Sequence, residues 1–140
     1  MQLLVLSGLS GAGKSVALKA LEDNAYACID NLPIEFLAAI SLQLCTPQPP
    51  TTEAKTLQRS AEKRVAITVD IRGRAGLNAL PNQLEQLRHA GINVQQLFLD
   101  ANTETLIKRF SETRRAHPLS QDGLTITEAI QLERALLSDL

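Results

Sequence analysis

Residues 8–15 read Gly-Leu-Ser-Gly-Ala-Gly-Lys-Ser, which puts Gly8, Gly13, Lys14 and Ser15 at the spacing G-x-x-x-x-G-K-[ST]. That spacing suits a polyphosphate. Such a ligand needs many short-range donors with no side chains in the way. Gly8, Gly11 and Gly13 let the backbone approach closely and take up positive φ. The N–H groups of Leu9, Ser10 and Ala12 and their neighbours then form an anion-binding nest. A helix starting near Lys14 adds unpaired N–H groups and the positive end of its dipole. Lys14 would reach the β- and γ-phosphates as a point charge, and the Ser15 hydroxyl would ligate Mg²⁺. An apolar run, Leu3-Leu4-Val5-Leu6, precedes the loop and a helix-forming run, Val16 to Leu21, follows it. Strand, glycine loop and helix together point to a nucleoside triphosphate. ATP and GTP are not separated, because such a loop ignores the base.

Three aspartates stand beyond apolar runs: Asp30, Asp70 and Asp100. Asp70 follows Ala66-Ile67-Thr68-Val69 and suits a Walker B carboxylate that holds Mg²⁺ through water. Asp100, after Leu97-Phe98-Leu99, competes for that role, and Asp70 is preferred. For either residue a plain loop cap at a strand end is the bland explanation. Asp30-Asn31 suits a second substrate, or an N-cap pair for the next helix. Lys108, Arg109, Arg114 and Arg115 crowd one helix and its exit, as a phosphate-clamping lid or as a solvated basic face. His117 beside Pro118 reads as a helix stop rather than a general base, and His89 suits a helix C-terminus.

The elements that must position these groups follow from periodicity. Strands are expected over 2–7, 25–30, 64–70 and 92–100. Helices are expected over 14–24, from Asn31-Leu32-Pro33 to about Leu44, and over 81–90, 103–115 and 125–139. Pro81 would open the third helix after a turn at Gly73 and Gly76, and Thr125 with Glu128 fits a capping box. The polar, proline-rich stretch 46–60 reads as an exposed loop. Strands alternating with helices imply a parallel sheet whose ligands sit beyond the carboxyl ends of the strands. The fold expected is an α/β three-layer sandwich of the kinase-like P-loop NTPase kind, one domain over residues 1–140. With no strand after residue 124, its sheet would lack the last strand, and Leu140 would fall inside the nucleotide domain of a fragment. An unprotected sheet edge of that kind also allows a homo-oligomer.

Composition narrows the functional classes. The net charge is −1, with three Phe, one Tyr and no Trp. That argues against a general polyanion binder and leaves no base-stacking platform. Cys28 and Cys45 are too few for a disulfide framework or a zinc site and read as free thiols of a reducing cytoplasm. No apolar run approaches the length of a membrane span.

Several segments together resemble the RapZ/YvcJ family of bacterial P-loop nucleotide-binding proteins. They are Ser7 to Asp23, Asp30-Asn31-Leu32-Pro33, Asp70-Ile71-Arg72, Leu97 to Ala101, and Thr113-Arg114-Arg115 with His117-Pro118-Leu119. The resemblance covers nearly the whole chain. It implies binding of ATP and GTP with Mg²⁺, at most slow hydrolysis, and a cytoplasmic regulatory role. In some full-length members that role is to present a small RNA to a ribonuclease in amino-sugar control, so RNA and a ribonuclease or kinase partner are implied for the full-length family only. By carry-over Gly8, Leu9, Ser10, Gly11, Ala12, Gly13, Lys14 and Ser15 would bind ATP. Asp70, Ile71, Arg72 and Gly73 would take guanine nucleotide, with Ser15 and Asp70 on the metal. The family usually has Asn where Gly73 stands, and the 46–60 loop looks longer than usual. A small-molecule kinase, using Asp30 on an acceptor, is the competing function. An RNA-binding protein in its own right is a third, which the charge and the scarcity of aromatics disfavour.

Overall fold

Along β1 (Gln2–Gly8), alternate residues face opposite sides of the sheet, as the period of two requires. Leu3 and Val5 enter one core cluster, and Leu6 enters another. β3 (Arg64–Asp70) repeats the division, with Val65, Ile67 and Val69 on the first side and Ala66 on the second. These faces fix the layers of the computed structural model, which describes residues 1–46, 63–71, 73–113, 116–120 and 123–138.

The remaining elements are α1 (Lys14–Asp23), β2 (Ala27–Pro33), a 3₁₀ turn (Ile34–Phe36) and α2 (Leu37–Cys45). After β3 come α3 (Gly73–His89), β4 (Asn93–Leu99), α4 (Thr103–Thr113) and α5 (Ile126–Leu137). The strands form one parallel sheet in the order β2-β3-β1-β4. Leu37 and Ala38 of α2 and Leu80, Leu84 and Leu87 of α3 cover one face, and Leu18 of α1 covers the other. A third cluster joins Leu9 of the glycine loop to Leu106 and Phe110 of α4 and Ile130 and Leu137 of α5. The α/β sandwich expected from the sequence is therefore present, with four strands among the described residues.

Three local expectations are corrected. β2 does not stop at Asp30. It runs on to Pro33, with Leu32 and Pro33 paired to Val69 and Asp70 across a bulge. Asn31 sits in that bulge at φ 56°, so it caps no helix, and the short polar side chain suits the left-handed backbone. α3 opens at Gly73 rather than at Pro81, which lies inside it. Burial outweighs the proline's penalty here: Leu80, Leu84 and Leu87 are all buried against the sheet. α4 is described over Thr103–Thr113, and the expected end at 115 lies outside the described residues. The capping box of α5 forms as expected, Thr125 and Glu128 each serving the other's backbone N–H. These hydrogen bonds hold the Glu128 carboxyl below its ordinary pKa. Both cysteines are free thiols. The 46–60 loop lies outside the described residues, except for Thr46.

Candidate functional site

β1 delivers the glycine loop to the carboxyl end of the sheet, and α1 starts at Lys14. Gly8, Gly11 and Gly13 all have positive φ, at 139°, 81° and 97°. Gly8 is fixed by more than its φ. A Cβ there would lie 2.0 Å from the Leu99 carbonyl oxygen, so the loop's first residue is pressed against the end of β4. The Leu9 N–H donates to that same oxygen at 3.1 Å. Leu9 is buried against α4 and α5, and Ala12 packs against the same cluster, so side chains anchor the loop while its glycines bend it.

The Lys14 ammonium donates to the Gly8 carbonyl at 2.8 Å and to the Leu9 carbonyl at 2.9 Å. Burial pushes its pKa below the ordinary lysine value, while Glu133, Asp70 and Asp30, in that order, pull it back up. Ser15 stands exposed in the first turn of α1. Asp70 ends β3, as expected, and Asp100 follows the last residue of β4. Asp30 lies within the β2 bulge, where the Thr68 hydroxyl donates to its carboxylate and accepts the Asn31 N–H at 2.6 Å.

Asp100 is bound by Arg134 of α5, whose Nη1 lies 2.9 Å from both carboxylate oxygens. The Arg134 Nη2 donates to the Ala101 carbonyl at 2.8 Å. Asp100 is thus engaged by an arginine of α5. Ile71 is half-buried, packed against two of the core clusters, and Gly73 is the first residue of α3. Arg72 lies outside the described residues, as do Arg114 and Arg115. Of the basic cluster, Arg109 reaches the loop, donating from Nη1 to the Gly11 carbonyl at 2.7 Å. Lys108 faces solvent beside Glu112 at 3.9 Å.

Glu133, which carries no signal in the sequence, and His117 adjoin the loop. Glu133 of α5 accepts the Ser10 N–H on both oxygens at 3.1 Å and the Ser10 hydroxyl at 2.7 Å. Its Oε2 also lies 2.8 Å from Nε2 of His117, which is fully buried and 5.1 Å from the Phe110 ring. His117 Nδ1 accepts the Leu119 N–H at 3.1 Å. Nδ1 therefore bears no proton, and Nε2–H donates to Glu133. His117 braces Glu133.

The residues at the loop fit a Mg²⁺-nucleotide. The Lys14 ammonium lies on a glycine backbone that tolerates close approach, Ser15 follows it at the start of α1, and a Cβ built on Gly13 would meet nothing within 4 Å. Among the described residues, no group of three or more His, Cys, Asp or Glu side chains could hold a metal ion alone. A metal here would depend on the phosphates it accompanies. A cleft of about 210 Å³ between Leu9, Phe98, Arg134 and Leu137 falls below the size range of ordinary ligand pockets.

A parallel β2-β3-β1-β4 sheet with a glycine loop running from β1 into α1 defines a P-loop NTPase fold of the kinase-like type. A gluconokinase from Sinorhizobium meliloti 1021 shares it, with a TM-score of 0.51 over 97% of this chain and 74% of that one. The two are 17% identical, so the likeness concerns the fold alone. The chain belongs to the RapZ-like N-terminal domain family, whose profile matches residues 1–140. Relatives described as nucleotide-binding proteins occur in Methylobacillus flagellatus, 49% identical over 140 residues, and Chromobacterium violaceum, 47% identical over 141. Each match takes in 100% of this chain and 45% of the relative, so the chain spans just under half their length.

Proposed function

We propose that this chain is a nucleotide-binding regulatory module that takes ATP or GTP with Mg²⁺ and hydrolyses it slowly at most. The observation that carries the reading is the loop itself: three glycines at positive φ closed by an ammonium at the start of a helix. In this reading Gly8 to Ser15 cradle the phosphates, Lys14 leaves its two carbonyl acceptors for phosphate oxygens, and Ser15 and Asp70 hold Mg²⁺. Bound nucleotide and metal supply charge neutralisation at the β- and γ-phosphates. The segment Asp70-Ile71-Arg72-Gly73 is the guanine-nucleotide candidate, with Ile71 acting through the core rather than by direct contact. The family match and the relatives described as nucleotide-binding support the class.

The module serves as the N-terminal, nucleotide-sensing part of a longer cytoplasmic adapter of the RNase-adapter type, working in small-RNA and amino-sugar control. Its RNA and its ribonuclease or kinase partner engage the full-length protein. Among the described residues, no helix is long and apolar enough to cross a membrane. Titration of ATP and GTP with Mg²⁺ into the wild type and Lys14→Ala tests the binding claim. A loss of about a hundredfold or more in the variant is expected, and unchanged affinity would overturn it.

Asp30 supports the kinase alternative, because Thr68 holds its carboxylate in a strand bulge and it lies in the electrostatic field of Lys14. Label transfer from γ-labelled ATP to a metabolite pool at roughly 1–100 s⁻¹ would favour the kinase over the adapter.

A further inference from the structure

The Glu133 carboxylate is held as a phosphate would be. Three donors serve it: the Ser10 N–H, the Ser10 hydroxyl and His117 Nε2–H. Its side chain is 12% exposed. An anion lodged on the backbone of a glycine loop occupies the kind of position such loops offer to phosphate oxygens.

The position can be assigned along the polyphosphate. Lys14 of such a loop reaches the β- and γ-phosphates. Its ammonium lies against the Gly8 and Leu9 carbonyls, the two residues before Ser10. Glu133 thus stands at the end of the loop that would meet the terminal phosphate. Of the carboxylates acting on Lys14, Glu133 acts most strongly. The adjacent Arg134 pins α5 to Asp100 and Ala101. The helix backbone is therefore anchored, and Glu133 has only its side-chain torsions with which to yield.

We propose that Glu133 sets the discrimination between nucleoside triphosphate and diphosphate at this loop, its carboxylate opposing the γ-phosphate for the Ser10 donors. The inference rests on the nucleotide-binding reading above. A diphosphate leaves the Ser10–Glu133–His117 chain in place. A triphosphate brings a second anion to it and must displace the carboxylate, which also removes the acceptor of His117 Nε2–H. Removing the charge while keeping the shape relieves the opposition for the triphosphate alone.

The test is calorimetric titration of Mg-ATP and Mg-ADP into the wild type, Lys14→Ala and Glu133→Gln, with NMR of the His117 side chain in the wild type. In Glu133→Gln the ATP affinity is expected to rise about tenfold while the ADP affinity stays within about twofold. In the wild type, ATP and not ADP is expected to shift the His117 Nε2–H signal. Equal changes for both nucleotides in Glu133→Gln, or an unmoved His117 signal on saturation with ATP, would overturn the proposal while leaving nucleotide binding intact. Failure of the wild type to bind either nucleotide, or binding that Lys14→Ala leaves unchanged, would overturn the underlying reading and this proposal with it. The His117 signal needs no variant, so it decides the matter even if Glu133→Gln does not fold.

Discussion

β3 and β4 are both seven-residue strands that run parallel to β1, yet β3 buries five of its seven and β4 buries none fully. On the β3 side the strand that delivers the glycine loop rests on a dry aliphatic core, with Val65, Ala66 and Ile67 inaccessible to solvent. On the β4 side Leu97 and Phe98 face solvent, and among the described residues no strand pairs with the outer edge. There directed polar contacts join the packing of Leu9 against α4 and α5 in holding the loop: Ser10 to Glu133 and Gly11 to Arg109, with Asp100 to Arg134 beside them. Apolar packing fixes where the loop sits, and hydrogen bonds fix the groups around it that an entering anion can rearrange.

The sharpest way to break this comparison is at the joint between the two sides. Gly8→Ala puts a methyl group 2.0 Å from a backbone oxygen that has no flexible side chain to move, and adds positive-φ strain. A loss above about 4 kcal/mol is expected from urea unfolding, at the exceptional end for a point substitution. Ile67→Ala, on the dry side, is expected to cost about 3 kcal/mol through transfer and cavity terms. On the polar side, His117→Leu leaves the Leu119 N–H unserved and Glu133 short of a donor, for about 2 kcal/mol. Leu97→Ala on the exposed strand should stay within about 0.5 kcal/mol. Should Leu97→Ala cost as much as Ile67→Ala, the two flanks would be equivalent and the comparison would fall.

The smallest effect concerns pH. Burial lowers the pKa of Lys14 in the folded chain below 10.5. Between the lowered value and 10.5 the unfolded chain binds more protons than the folded one, so this group makes stability rise with pH there. Lys14→Met is expected to flatten that rise. Parallel pH dependences of the urea midpoints for the two proteins would show that the ammonium is not desolvated.

What the sequence made legible was local. Gly8, Gly13, Lys14 and Ser15 lie within eight residues, the strand–loop–helix context is contiguous, and the Thr125–Glu128 capping box closes over three residues. β3 was legible because its β-branched run has no competing period. Pro81 misled because proline marks helix starts more often than interiors, and only the buried Leu80, Leu84 and Leu87 explain why α3 continues through it. Asn31 misled because a cap and a left-handed bulge favour the same short polar side chain. Glu133 was not legible at all. It meets Ser10 across 123 positions, on a helix whose sequence reads as an ordinary amphipathic surface helix. His117 had a helix-stop explanation ready to hand, and its burial and its hydrogen bond to Glu133 show that it belongs to the loop's support.

The clash at Gly8 has a consequence for the mutational landscape. Position 8 is a cliff, because every side chain begins with the Cβ that the Leu99 oxygen forbids, and no choice of residue size softens it. Position 10 is a slope, because Ser10 reaches Glu133 through a hydroxyl and a backbone N–H, and the N–H survives replacement by most residues. Graded adjustment of the loop is therefore open at its third residue and closed at its first.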